Sequence, residues 1–293
     1  MSSVVPMRAG DTRPPAVVHL DLDGATAIYA VHGWRYPSGT DALFDSGFAN
    51  ALRFFEAAGV RATLVLIASD LDDPAKRRLL TDAVPRGHEI ASHSLTHRPL
   101  TGLDRDGKWR EIAASRQSIE ATLGVEVRGF RAPGFHIDRE SLELIAAAGY
   151  RYDSSLFPTA ACARRIGVAH VGPAPHCPHA HSPLVELPLP LHAPLPLPFH
   201  PSYSLVLGDW YFRSGLRRFR RTGAPLVLLF HLTDFADPLP AAERPGWAAT
   251  LYTLSFLSAA RKRERCQRML DLVTRDYELT DTARLLASHT QAG

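Results

Sequence analysis

Short apolar, β-prone runs alternate with amphipathic stretches along most of this chain, and that alternation limits its fold more than any other feature. Residues 17–23, 61–68, 88–92, 127–131, 150–153 and 226–231 read as strands. Between them, 41–58, 74–84, 109–123 and 138–148 carry helical periodicity. In the first of these, Leu43, Phe44, Phe48, Leu52 and Phe55 fall on one helical face. Gly124 is placed to end one helix and Asp138 to begin the next. Short strands at 184–187 and 277–279, and helices at 213–221, 266–274 and 282–287, complete the pattern. Strands linked through helices pair in parallel with right-handed crossovers. The predicted fold is therefore α/β: a closed or nearly closed (β/α) barrel of about seven parallel strands.

The 293 residues suit one such domain, 17–293, preceded by a flexible N-terminal arm at 1–16. A proline-rich insertion interrupts it at about 156–201. Lys and Arg nearly balance Asp and Glu, for a net charge of +3. Arginine clusters at 213–221 and 261–265 read as solvated helix faces. No basic stripe interleaved with stacking aromatics is present, so a nucleic-acid partner is not expected. Cys162, Cys177 and Cys266 form no CxxC pair and no disulfide framework. The amino terminus has no apolar run after a basic start, and no stretch of about 18 apolar residues exists. The expectation is no transmembrane segment and a cytoplasmic location.

Polar residues recur where the strands end. Asp21 and Asp23 end the first, His93 and His97 follow the third, Arg131 ends the fourth, Asp153 the fifth, and His231 the last strongly apolar one. In a (β/α) barrel these ends converge on one rim, where the chemistry sits. Strand alternation turns Asp21 and Asp23 to the same side, with Leu22 opposite. Two such carboxylates repel unless a cation lies beside them. Taken alone, the pair is equally well a turn aspartate and a helix cap. His93 and His97, four apart, share one face of a helical turn, a spacing used by metal pairs and also met by coincidence. Two imidazoles and one carboxylate would leave a coordination position open, as catalytic sites do.

The ordered segments Asp21-Leu22-Asp23-Gly24, His93-Ser94-Leu95-Thr96-His97, Arg131-Ala132-Pro133-Gly134-Phe135, Tyr152-Asp153-Ser154-Ser155 and Leu228-Leu229-Phe230-His231 resemble the motifs of the polysaccharide deacetylases. That family is also called the NodB homology domain or carbohydrate esterase family four. The resemblance covers roughly 17–235. It implies a deformed (β/α) barrel holding one divalent ion, usually zinc, through Asp23, His93 and His97. It also implies an aspartate base, an arginine that holds it (Arg131) and a histidine acid (His231). Asp153 falls in a motif near the acid or the groove wall. The first motif resembles the Asp-x-Asp or Asp-x-Glu subgroup rather than the commoner adjacent aspartates, which makes Asp21 the natural base. A backbone N–H near Gly134 would help hold the oxyanion, with Gly134 and Phe135 on the substrate side.

The expected activity is therefore metal-dependent removal of an acyl group, foremost acetyl, from an amide nitrogen of an amino sugar or related conjugate. The substrate would be a small molecule or a glycan. One alternative keeps the chemistry and changes the substrate: a deformylase or cyclic-amide hydrolase acting on a small intracellular metabolite. Another changes the class, to a non-catalytic carbohydrate-binding barrel. His176, His179 and His181 beside Cys177 read as decoration of the proline-rich loop. The leucine- and proline-rich run 184–199 suits a groove wall, a lid or a homo-oligomer contact. His32 and Trp34 sit in a loop that could face substrate.

Overall fold

The computed structural model describes residues 13–37, 39–192 and 197–292. Ten strands run through the described residues: β1 Pro15–Asp21, β2 Thr63–Leu66, β3 Glu89–Ser92, β4 Gly129–Phe130, β5 Tyr152–Asp153, β6 Val185–Glu186, β7 Leu191–His192, β8 Leu197–Pro198, β9 Leu226–His231 and β10 Glu278–Leu279. Eight form one parallel sheet in the order β10-β1-β2-β3-β4-β5-β6, with β9 also paired to β1. β7 and β8 make a separate antiparallel pair. Among the described residues β6 and β9 do not pair, so the barrel is open between them. No helix among those residues is long and apolar enough to cross a membrane.

Register puts the strand ends level. His231 stands beside Asp21 and Asp21 beside Val65, while Ser92, Phe130, Asp153 and Glu186 are successive neighbours further round. The polar positions read from the sequence therefore do gather on one rim. Alternation divides the residues of β1 between two layers. Val18, Leu20 and Leu22 face outward into the main core with Phe44, Phe48 and Phe55. Val17 faces the barrel interior with Tyr152, Leu187, Leu189, Val227, Leu229 and Leu285. His19 and Asp21 share Val17's side, which makes the barrel axis polar toward its upper end. The phenylalanines of the outer layer are fully buried, and truncating one to Ala would cost about 3–5 kcal/mol.

Caps fix the long helix Ala42–Ala58. The Asp41 carboxylate accepts from Phe44 N at 3.1 Å and from Ala25 N at 2.8 Å, and Gly59 closes the other end at φ 65°. At the bottom of the barrel, Thr282 in the helix Thr282–Ala292 packs beneath the sheet. Its hydroxyl meets Thr63 Oγ1 at 2.8 Å and His19 Nε2 at 3.0 Å.

Several boundaries differ from the sequence expectation. Residues 1–12 of the proposed arm lie outside the described residues, and Pro15 already belongs to β1, because β10 pairs with Pro15 and Ala16. The stretch 193–196 within the leucine- and proline-rich run also lies outside them. The segment 109–123 is not one regular helix. It starts earlier, at Arg105, and passes through a π-helical turn at Arg110–Ala114. The expected strand 127–131 shrinks to Gly129–Phe130, since Arg131 turns its side chain into the barrel and Pro133 ends the extended run. Helices Ala25–Val31, Ala160–Ile166, Pro201–Leu207 and Gly246–Tyr252 were not anticipated. They are one to two turns long, and too short for a periodicity to emerge.

Candidate active site

Asp23, His93 and His97 come together above the strand ends. Asp23 Oδ1 lies 3.3 Å from His93 Nε2 and 3.2 Å from His97 Nε2. The two histidines do not share a helical turn as their spacing suggests. They bracket a loop in which Ser94 and His97 take left-handed backbone angles, φ 68° and 61°. Polar contacts make that loop rigid. Ser92 Oγ accepts from Ser94 N at 3.2 Å, and Ser94 Oγ accepts from His97 N at 3.0 Å. Glu111, on the π-helical turn, accepts from Thr96 N at 2.8 Å and Thr96 Oγ1 at 2.5 Å. The π turn thus places a carboxylate that the sequence alone did not mark as functional.

The chemistry of this trio fits a divalent ion. His93 Nδ1–H donates to the Arg131 carbonyl at 2.8 Å, which leaves the Nε2 lone pair aimed at Asp23. Both ring nitrogens of His97 and Asp23 Oδ1 are buried without a hydrogen-bond partner. Unpaired buried polar atoms are costly, and Asp23 Oδ1 and His97 Nε2 converge with His93 Nε2 as a ligand set does. Among the described residues this is the one group of His, Cys, Asp and Glu with metal-binding geometry. Burial pushes the Asp23 carboxyl up, but His97 and His93 outweigh it and hold it well below the usual carboxylate range. His176 and His179 instead have their Nδ1 atoms against the carbonyls of Ala174 and Ala180.

Asp21 lies two residues earlier, at the end of β1, and is held from below. Arg131 Nη1 donates to Asp21 Oδ1 at 2.5 Å, and each side chain is only 1 % exposed. Arg131 also donates to the Ser154 carbonyl, Ser154 Oγ and His19 Nδ1, at 2.8, 2.8 and 2.9 Å. Because guanidinium only donates, His19 Nδ1 must accept, and its Nε2–H faces Thr282. Burial, then the Arg131 charge, holds His19 well below its usual range, so it stays neutral. His19 is thus a packing residue of the barrel axis.

His231 faces the free side of Asp21, its Nε2 3.9 Å from Asp21 Oδ2. Its Nδ1 meets Ser202 Oγ at 3.0 Å, and its backbone N donates to Asp234 Oδ2 at 3.0 Å. Lys262 Nζ secures the following loop through the carbonyls of Thr233 and Ala236, both at 2.9 Å. His200 lies with its ring 5.0 Å from that of His231 and is buried with Nδ1 unpartnered. Burial, then His231 and Arg131, holds it well below its usual range.

These groups open into a cavity of about 290 Å³ lined by Asp23, His97, His231, His200, Gly134 and Phe135, with Ile28, Val31, His32, Tyr203 and Tyr252 toward its mouth. Gly134 needs its φ of 57°, and a Cβ there would meet the His136 ring at 2.9 Å. Trp34 stacks on His32, behind the cavity wall.

Asp153 requires a correction: it does not reach the cavity. It is fully buried beneath Ser155, whose Oγ donates to Asp153 Oδ1 at 2.8 Å and accepts from Ala132 N at 2.8 Å. Its other neighbour is Glu186, also fully buried. Burial pushes Asp153 up to about 6; burial and then Asp153 push Glu186 well above its usual range. Glu186 Oε1 accepts from Leu156 N at 2.9 Å, and its Oε2 is buried without a hydrogen-bond partner. Through Ser155 the pair braces the Arg131–Gly134 loop from beneath. Sequence reading also missed Ser202, His200, Glu186 and Asp234; of these only Asp234, three residues after His231, carried a readable signal.

The site is thus an Asp-His-His cluster beside an arginine-held aspartate on the C-terminal rim of an open parallel (β/α) barrel. Residues 38–152 match the model of the polysaccharide deacetylase family. The peptidoglycan deacetylase-like protein FGM2 of Gibberella zeae is 31 % identical over 83 residues, a span covering 28 % of this chain and 24 % of that protein. A Mycobacterium smegmatis protein described as a polysaccharide deacetylase has a similar fold, with TM-score 0.65 and 20 % identity over 99 % of this chain and 95 % of its own. The Puue allantoinase shares the fold as well, with TM-score 0.64 and 13 % identity over 97 % and 93 % of the two chains.

Proposed function

We propose that this chain is a metal-dependent hydrolase that removes an acyl group, foremost acetyl, from the nitrogen of an amino sugar or related conjugate. The observation that carries the proposal is the placement of Asp21. One oxygen is bound to Arg131, and the other faces His231 Nε2 across 3.9 Å, beside the Asp23, His93 and His97 cluster. At that spacing a base and an acid can both reach one small reacting group set beside them.

Asp23, His93 and His97 would hold the divalent ion, zinc by the nature of its ligands, which supplies Lewis-acid polarisation of an acyl carbonyl and a water. Asp21 Oδ2 takes a proton from the attacking water, and Arg131 keeps Oδ1 fixed so that only one lone-pair direction is offered. His231 Nε2 gives a proton to the leaving amine, while Ser202 holds Nδ1 and so fixes the ring plane. The Ala132–Phe135 loop, braced by Ser155, sets the wall against which the acyl group sits. The cavity of about 290 Å³ takes one ring or acyl group at a time.

The test is turnover by zinc-loaded protein across N-acetyl sugars, N-formyl sugars and cyclic ureides. We expect release of acetate from an N-acetyl sugar. Asp21→Asn should retain its metal and lose turnover by about 10²–10⁴-fold. Release from cyclic ureides alone would move the substrate class, and undiminished turnover by Asp21→Asn would remove the assignment of the base.

A further inference from the structure

We propose that the helices Pro201–Leu207 and Asp209–Arg220 form a docking face for an anionic lipid bilayer, with the active-site cavity opening beside it. Tyr203, Val206 and Leu207 lie three and four residues apart on the first helix, so they share one face, and all three are exposed. Tyr203 also lines the cavity, so this apolar face is continuous with the cavity mouth formed by Val31 and Tyr252. Gly208 then turns the chain, and Trp210 stands 62 % exposed on the next helix.

Charge selects the occupant. Trp210, Arg213, Arg217 and Arg221 recur at helical spacing, and all four are exposed. The opposite side of that helix is the buried one, with Tyr211, Phe212, Gly215, Leu216 and Phe219. Among the described residues no carboxylate pairs with Arg213, Arg217 or Arg221, while the helix's own Asp209 is engaged by Arg265 and Arg268. A stripe of arginines running on from exposed Trp, Leu and Val is the pattern of an interfacial surface: apolar groups enter the headgroup region and cations meet lipid phosphates. A second copy docking through the same face would set arginine against arginine. A purely anionic polymer would leave the aliphatic residues without a use. That docking brings the catalytic cleft to a membrane-borne amide rests on the proposed function; the docking itself does not.

The experiment is co-sedimentation of the full chain with phosphatidylcholine vesicles, with and without phosphatidylglycerol. Sedimentation should require phosphatidylglycerol and weaken with salt. Arg213→Glu/Arg217→Glu/Arg221→Glu and Leu207→Ser/Trp210→Ser should each reduce partitioning by roughly tenfold or more, while metal content and circular dichroism stay unchanged. Absence of binding to phosphatidylglycerol vesicles, equal binding to neutral ones, or full binding by either variant would overturn the proposal. So would a dimer in sedimentation velocity that Trp210→Ser dissolves, which would give the face to a second copy.

Discussion

Replacing Asp21 with Asn tests the link between fold and site most directly. The Arg131–Asp21 pair is buried on both sides and joined at 2.5 Å. Removing the carboxylate charge leaves a guanidinium in the barrel with only neutral partners: His19, the Ser154 carbonyl and Ser154 Oγ. Breaking a buried pair from one side costs about 3–5 kcal/mol, and because the amide oxygen still accepts a hydrogen bond the lower end applies, about 3 kcal/mol. For a chain of this length that is about 6 °C in Tm. Arg131→Met should cost about 3–5 kcal/mol by the same argument. The double variant removes both charges, so its loss should fall short of the sum by about 2 kcal/mol or more. Urea unfolding of chelator-treated protein measures all three without a contribution from bound ion. Strict additivity, or an Asp21→Asn chain as stable as the parent, would refute the claim that the pair organises the interior.

Asp23→Asn and His97→Ala should each weaken zinc binding by at least about 100-fold in metal titrations, with excess zinc partly restoring Asp23→Asn but not Asp21→Asn; an unchanged affinity would break up the ligand set. The Asp153–Glu186 pair makes a pH prediction. Both carboxyls are raised in the folded state, so the native chain binds more protons than the unfolded one, and stability falls as pH rises from about 4 through 6 and beyond. Glu186→Gln should flatten that slope in urea unfolding at pH 5 and 8, and a slope as steep as the parent's would count against this pair as its source. Ser202→Ala should lower kcat/KM about fivefold, the worth of roughly one neutral hydrogen bond, through loss of His231 orientation. Changing His176, His179 and His181 together to Ala should leave turnover within roughly tenfold, about 1.4 kcal/mol of barrier; complete loss with the fold intact would make that loop part of the site.

The sequence was most legible where one residue's geometry sufficed. Gly124 ends its helix in the left-handed conformation and Asp138 caps the next, as their identities require. β9 keeps the bounds read from its apolar run, because its neighbour β1 pairs along its whole length. Asp21, Asp23, His93, His97, Arg131 and His231 do converge, since register in a parallel sheet aligns strand ends. The shape of the histidine loop was hidden, because two left-handed non-glycine residues depend on contacts from Glu111, fourteen residues beyond His97. Asp153 was misplaced because its position at a strand end says nothing about depth; Ser155 stands between it and the cavity. Ser202 and His200 could not be found because the chain reaches the rim there from an insertion without periodicity.

The column Thr282–His19–Arg131–Asp21 bears on how the chain assembles. Its members lie far apart in sequence, with separations of 263 positions from His19 to Thr282 and 110 from Asp21 to Arg131. β1 likewise awaits β9 and β10, both formed from the last third of the chain. Contacts of such long range make for slow folding. During synthesis Asp21 stays unsupported until Arg131 emerges, and the barrel floor stays open until Thr282 does. The cluster at the strand ends is therefore among the last parts of the molecule to be completed. Trimming the chain ahead of Thr282 would loosen the floor of the very column that orients Asp21 at the rim.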